Sequence, residues 1–280
     1  MSAYLTHPTP YPDVNVVLHT LLSSVQAILG NHFIGLYLYG SLAGGDFDPE
    51  RSDIDFVVVT ANALPDEMAL ALETMHARMT ATGLKWAAKL EGSYIPLHAL
   101  RRYDPTDAPC PQINEGSFYV ARLGSDWGIQ RHTLREHGVV VTGPAPQTLI
   151  DPVQPDDLRR AVLGILHEWW APMLHAERPA RLQSSEYQAY AILTMCRALY
   201  TLQHGTVVSK PVAAKWAQET LGERWGALIE RALAWRHDAP LDELNETLDF
   251  IRYTLERGQQ ADSAGRRAFE PLLRFCVKEG

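Results

Sequence analysis

Cysteine is scarce in this 280-residue chain, and Cys110, Cys196 and Cys276 stand far apart with no Cys-x-x-Cys unit. That excludes a disulfide framework or a cysteine-built zinc site and fits a reducing compartment. Long apolar runs are missing too, none approaching the ~20 residues that span a bilayer. The N-terminus lacks a basic segment followed by an apolar stretch. A cytoplasmic protein with no membrane partner is therefore expected. Positive charge is in deficit: 25 Lys and Arg against 33 Asp and Glu leave a formal net charge of -8. Such a chain has no basic footprint for nucleic acid, so no nucleic-acid partner is expected. An acidic surface is permissive for a cationic substrate. The eleven histidines show no metal-ligand spacing, and neither repeats nor low-complexity tracts occur.

Hydrophobic residues make up 46% and charged residues 21%, an ordinary globular balance in a chain long enough for two domains. Val14, Val17, Leu18, Leu21, Leu22, Val25 and Leu29 form one helical stripe over 13–29. Short β-rich runs follow at 33–39 and 54–60, then a helical pattern at 65–82 and a third strand within 85–97. Residues 101–115, rich in Pro, Asp and Arg, read as a loop, and the apolar run Val139–Val141 ends in Gly143-Pro144-Ala145-Pro146. Beyond about residue 150 only helical patterns remain, at roughly 155–170, 185–204, 210–221, 223–236, 241–258 and 263–277. The expected fold class is α+β: a small mixed-sheet domain over 1–150, then an all-α bundle over 151–280.

The segment from Leu38 to Val59 carries the chemistry. An apolar strand ends in Gly40-Ser41, a turn-rich spacer follows, and Asp53-Ile54-Asp55 opens a second apolar run. Residues i and i+2 of a strand share a face, so Asp53 and Asp55 present two carboxylates together. Their repulsion is relieved by a hard cation such as Mg²⁺, which takes one or two carboxylates plus substrate phosphate oxygens. Gly40 permits close backbone approach to a phosphate, and Ser41 adds donors. The set reads as a metal-dependent site for a nucleoside triphosphate; a turn or a solvated strand edge is the plain alternative for Asp-x-Asp alone. Nucleotidyl transfer usually needs a third carboxylate and a base. Glu91, in the predicted third strand, is the candidate, against a surface glutamate paired with Lys85 or Lys89.

Gly40-Ser41 followed by Asp53-x-Asp55 resembles the signature of the polymerase-β-like nucleotidyltransferases. Thr194-Met195-Cys196-Arg197-Ala198-Leu199-Tyr200, Gly205 and Ser209-Lys210-Pro211-Val212-Ala213-Ala214-Lys215-Trp216-Ala217 extend the likeness into the second half. From about residue 13 to about residue 260 the chain resembles the streptomycin/spectinomycin adenylyltransferase family. The resemblance implies an O-adenylyltransferase that uses ATP as co-substrate and two Mg²⁺ ions. It makes Asp53, Asp55 and Glu91 the metal ligands, with Glu91 also the catalytic base. Gly40, Ser41 and Ser52 correspond to the triphosphate loop, and Arg197 and Lys210 to basic residues that reach the nucleotide. Trp235 is the nearest match to an aromatic residue that stacks on it. For Arg197 the plain alternative is a buried structural ion pair, and for Lys210 a charge near a helix N-terminus.

The implied acceptor is a small, cationic, hydroxylated molecule, an aminoglycoside or aminocyclitol antibiotic. The family's acceptor positions are matched less closely. Acidic residues precede its Arg-bearing helix, where this chain has Gln183 and Tyr187 with Glu186 adjacent. Its Trp-bearing segment corresponds to Gly116-Ser117-Phe118-Tyr119, with Phe118 or Tyr119 as substitutes. Two other readings follow from the same residues: nucleotide transfer to a protein side chain, and a nucleotide sensor without catalysis.

Overall fold

The computed structural model describes residues 7–50, 52–175, 180–236, 241 and 243–276. The chain divides into two compact units, Met1–Val153 and Gln154–Gly280.

The first unit is a six-stranded mixed sheet in the order β5-β4-β3-β2-β1-β6. Its strands are β1 (Phe33–Leu38), β2 (Ile54–Thr60), β3 (Leu90–Pro96), β4 (Cys110–Asn114), β5 (Ser117–Ala121) and β6 (Val139–Thr142). Strands β2 and β3 run parallel, joined through helix α3, and every other pairing is antiparallel. The helices of this unit are α1 (Pro12–Leu29), α2 (Gly40–Gly44), α3 (Asp66–Ala81), α4 (Leu97–Arg101), α5 (Trp127–His137) and α6 (Pro146–Leu149).

Both faces of the sheet are covered, and the pleat sorts β2 between them. Ile54, Phe56 and Val58 pack with the apolar stripe of α1 and with Leu72, Met75 and Met79 of α3. Val57 and Val59 turn to the other face, against Tyr37, Tyr39, Ile95, Trp127 and Leu134. Burial on both faces explains the unbroken apolar run from Phe56 to Val59. Helix α1, extended to His32, is by length and composition apolar enough to cross a membrane (21 residues, mean hydropathy 1.2). Its stripe from Val14 to Leu29 is nonetheless buried against the sheet, as in a core helix.

Among the described residues the second unit has helices and no strand: α7 (Pro155–Ile165), a π-helical turn (Leu166–Trp170), α8 (Ala171–His175), α9 (Ser185–His204), α10 (Lys210–Thr220), α11 (Glu223–Ala234) and α12 (Leu244–Cys276). Helix α7 opens with Pro155 in its first turn and a Gln154–Asp157 capping box. Helix α9 starts on the Ser184 hydroxyl, which accepts from the Tyr187 N–H, and ends at Gly205 in the left-handed region.

Four local expectations change. The presumed loop over 101–115 contains β4, which with β5 makes a hairpin whose central residues Glu115 and Gly116 both have positive φ; such a turn usually advertises itself with Asn-Gly or Asp-Gly. The turn-rich spacer after β1 begins with the short helix α2. The third strand is shorter, because Lys85–Ala87 forms a 3₁₀ turn. The last two helical patterns fuse into α12, since Gln259-Gln260-Ala261-Asp262 contains no breaker. Cys110 and Cys196 are buried free thiols, and the side chain of Cys276 lies outside the described ones.

His76 of α3 is almost wholly buried among Phe56, Tyr94 and Phe118, and its Nε2 shares a 2.7 Å hydrogen bond with the Tyr94 hydroxyl. Burial lowers its pKa from 6.5 to about 4. The unfolded chain therefore binds more protons than the folded one between those values. Stability from the neutral ring is complete above pH ~6.5 and is lost toward pH 4, by about 3 kcal/mol. His76→Gln should flatten that part of the pH dependence, measured by urea unfolding at pH 7, 5.5 and 4. An unchanged slope would remove His76 as its source.

Candidate active site

The parallel register of β2 and β3 pairs Asp55 with Glu91 and, one step back, Ile54 with Leu90, so that Asp53 and Lys89 both stand just before the paired residues. Alternation puts Asp53 and Asp55 on the face of Val57 and Val59, and Glu91 on the face of Ile95. These faces are the same, so three carboxylates gather at one end of the sheet. The next strand continues the row: Asn114 of β4 donates from Nδ2 to Glu91 Oε1 at 3.4 Å.

Gly40 makes room for this group. It has φ 62°, and a Cβ built there would fall 1.9 Å from Asp55 Oδ2. Only glycine satisfies both the backbone conformation and the carboxylate. Tyr39, just before it, donates its backbone N–H to the Asp55 carbonyl at 3.1 Å. Ser41 lies half-buried in the first turn of α2, and its hydroxyl makes no hydrogen bond among the described residues. Ser52 closes the loop before β2: its N–H donates to the Asp48 carbonyl (2.8 Å), and its Oγ accepts from the Asp48 N–H (3.0 Å).

The electrostatics follow from crowding. Burial raises the Glu91 pKa to about 7, and Asp53, Glu115 and Asp126 add to the rise. Burial also holds the Tyr39 phenol well above its ordinary value, reinforced by Asp55, Glu91, Asp126 and Tyr119. Tyr119 is raised by burial, then by Glu91 and Asp126. Lys89 Nζ lies 3.2 Å from Asp53 Oδ1. That same oxygen is buried without a hydrogen bond, because the ammonium sits at ion-pair distance with no N–H aligned on it.

The donor set suits a hard divalent cation: clustered carboxylates, one with a buried oxygen held only by an ion pair, and no competing thiolate or imidazole among the described residues. Among the described residues no three acidic, His or Cys side chains are drawn into one ligand shell. Mg²⁺ does not require that, since it uses one or two carboxylates and completes its octahedron with phosphate and water. The residues fit it.

Phe118 is not part of this group. The register Ile113↔Phe118 turns it to the opposite face of the sheet, where it packs on His76 with ring centroids 5.9 Å apart. Tyr119 is the residue of that pair on the carboxylate face, because neighbours in a strand point to opposite sides. Asn114, Tyr39 and Asp126 have no role in the site as read from sequence, and Lys89, weighed there as a partner of Glu91, pairs with Asp53 instead. The β3–β4 register brings Asn114 to Glu91, and the ring-and-helix packing of Tyr39 on Trp127 (6.0 Å) places Tyr39 and Asp126.

In the helical unit, Glu186, Tyr187 and Arg197 lie along α9 and Lys210 opens α10. Glu186 is exposed in the first turn of α9. The Tyr187 hydroxyl accepts from Trp169 Nε1 at 3.0 Å, and the Arg181 guanidinium lies over both rings. Lys210 Nζ stands 4.7 Å from the ring centre of Tyr190. Arg197 is half-buried and makes no ion pair among the described residues, so the structural ion pair weighed for it is not seen there. Trp235 follows α11 and is only 8% exposed, leaving little open ring face.

Comparison with known proteins matches both halves. A nucleotidyltransferase domain profile covers residues 20–89, and the profile described as "Aminoglycoside adenylyltransferase, C-terminal domain" covers 148–257. An aminoglycoside (3'') (9) adenylyltransferase from Escherichia coli is 27% identical over 252 residues, 84% of this chain and 92% of that protein. A spectinomycin 9-adenylyltransferase from Staphylococcus aureus is 23% identical over 224 residues, 75% of this chain and 80% of the other. The fold is shared with a spectinomycin adenyltransferase from Enterococcus faecialis, solved with ATP and spectinomycin (TM-score 0.66, 19% identity, 87% of this chain and 98% of that one). Matched in both halves and in the same order, the chain belongs to the aminoglycoside adenylyltransferase family.

Proposed function

We propose that the protein transfers AMP from ATP to a hydroxyl of a small cationic acceptor, an aminoglycoside or aminocyclitol antibiotic such as streptomycin or spectinomycin. The observation that carries this reading is the row Asp55–Glu91–Asn114 beside Gly40, inside a chain whose relatives are adenylyltransferases. Glu91 accepts the proton of the acceptor hydroxyl as its oxygen attacks the α-phosphorus; the bond to the β-phosphate oxygen breaks and pyrophosphate leaves. Without metal, burial raises the Glu91 pKa to about 7, and a bound divalent cation would lower it and keep Glu91 ionised for that task. Asp53 and Asp55, with Glu91, would hold Mg²⁺, which when bound stabilises the attacking and leaving oxygens. Gly40, Ser41 and Ser52 shape the triphosphate loop.

From the helical unit, Arg197 and Lys210 supply charge-assisted donors to phosphate oxygens, a reading supported by their chemistry and by the family likeness. Glu186, Tyr187 and Tyr119 are the acceptor candidates. Trp235 is buried, so the base is left without a named stacking residue. Partners are ATP and the acceptor, without nucleic acid or membrane. The reaction belongs in the cytoplasm, which the buried free thiols of Cys110 and Cys196 suit.

Asp55→Asn should remove pyrophosphate release from Mg-ATP with streptomycin or spectinomycin while leaving the melting temperature within a few degrees of wild type. Full residual turnover would sink the role. Glu91→Gln should slow transfer by about 10²–10⁴-fold, yet stabilise the metal-free protein. The folded pKa of Glu91 lies above its unfolded value, so stability falls as pH rises from about 4.5 through about 7. At pH 8 the neutral amide should recover up to about 3 kcal/mol. A metal-free variant that melts below wild type at pH 8 would contradict the crowding argument. Gly40→Ala should displace the Asp55 carboxylate and cost both activity and about 1–2 kcal/mol of stability; an active, equally stable variant would show that the site tolerates a Cβ there.

A further inference from the structure

We infer that Lys89 is a built-in counter-ion of the carboxylate cluster, holding Asp53 until a divalent cation arriving with the triphosphate takes over its oxygen. The inference rests on the metal reading above. Its observation is separate from the family likeness: Lys89 and Asp53 immediately precede the register pair Ile54–Leu90, and the Lys89 ammonium lies 3.2 Å from Asp53 Oδ1. The pairing is anchored by the Ile54 N–H donating to the Lys89 carbonyl at 2.8 Å, so the lysine backbone cannot drift from the site.

The geometry suits a replaceable ion better than a permanent partner. The ammonium is 3.2 Å from Asp53 Oδ1, yet that buried oxygen has no aligned hydrogen bond. Lysine is a compact point charge on a flexible stem, and this side chain is 42% exposed, so it can withdraw into water at little cost. A divalent cation binds carboxylate oxygen at about 2.1 Å with twice the charge. The two cations repel each other and compete for the same oxygen. Without nucleotide, one lysine offsets part of the repulsion among Asp53, Asp55 and Glu91 and weakens metal binding. With nucleotide, the phosphate oxygens add metal ligands and the balance turns. Lys89 would thereby make metal binding depend on the triphosphate.

The test is Mn²⁺ binding to the nucleotide-free protein, read as free Mn²⁺ by electron paramagnetic resonance. Lys89→Met should bind Mn²⁺ about fivefold or more tightly than wild type, an effect of the size expected for removing a partly exposed like charge. Metal-free, it should melt lower, and Mn²⁺ should restore more than it adds to wild type. Lys89→Arg, which keeps the charge, should bind Mn²⁺ as wild type does. Lys89→Gln, measured in the same way, serves if the Met variant does not fold. Equal or weaker Mn²⁺ binding by a folded, neutral variant would overturn the inference alone. No Mn²⁺ binding by any of the proteins, with or without ATP, would overturn the metal reading beneath it.

Discussion

Electrostatic repulsion at one end of a sheet is the constraint around which the first unit is arranged. Three carboxylates, on Asp53, Asp55 and Glu91, stand on the same face of two parallel strands, and burial makes the charge on Glu91 more costly. Nothing in the packing of the sheet requires acids there; Val57, Val59 and Ile95 continue the same face as ordinary core. The neighbouring residues are explicable as responses to that charge: an absent side chain at Gly40, an ammonium at Lys89, an amide at Asn114. A site that carries three carboxylates and a single ammonium at ion-pair distance in its resting form is poised for a cation, and polyphosphate is the substrate that brings one.

The scaffold holds this arrangement by being stiff where the acids begin. Strand β2 is buried on both faces, with the α1 and α3 side chains on one and the Trp127 layer on the other. A one-residue slip would drive Asp55 into the α1 core and Phe56 into the site, so the register is strongly specified. The same alternation separates Phe118 from Tyr119 and decides which of the two faces the acids. Residues that differ by one position in sequence thus belong to different sides of the molecule.

The helical unit is read through its surface chemistry. In the π-helical turn that holds Trp169 and Trp170, Trp170 lies in the core and Trp169 outside, where it meets Tyr187 and Arg181. Near the positions where the family resemblance leads one to expect acids, the Arg181 guanidinium lies over Trp169 and Tyr187 and the Lys210 ammonium over Tyr190.

Sequence alone determined the α+β class, the α1 stripe, the limits of β2, α9 and α10 to within a residue or two, and the pairing of Gly40-Ser41 with Asp53-x-Asp55. These are legible because they rest on local periodicity, on breakers such as Gly205, and on i, i+2 geometry within a single strand. Tertiary structure decided what depends on which strands are neighbours. The parallel register of β2 and β3 set Glu91 against Asp55 and brought Lys89 within ion-pair reach of Asp53, and the β4–β5 hairpin, masked by an unusual Glu-Gly turn, brought in Asn114 and turned Phe118 away. Cross-strand register is fixed by packing on both faces of the sheet at once, and no single stretch of sequence carries that information.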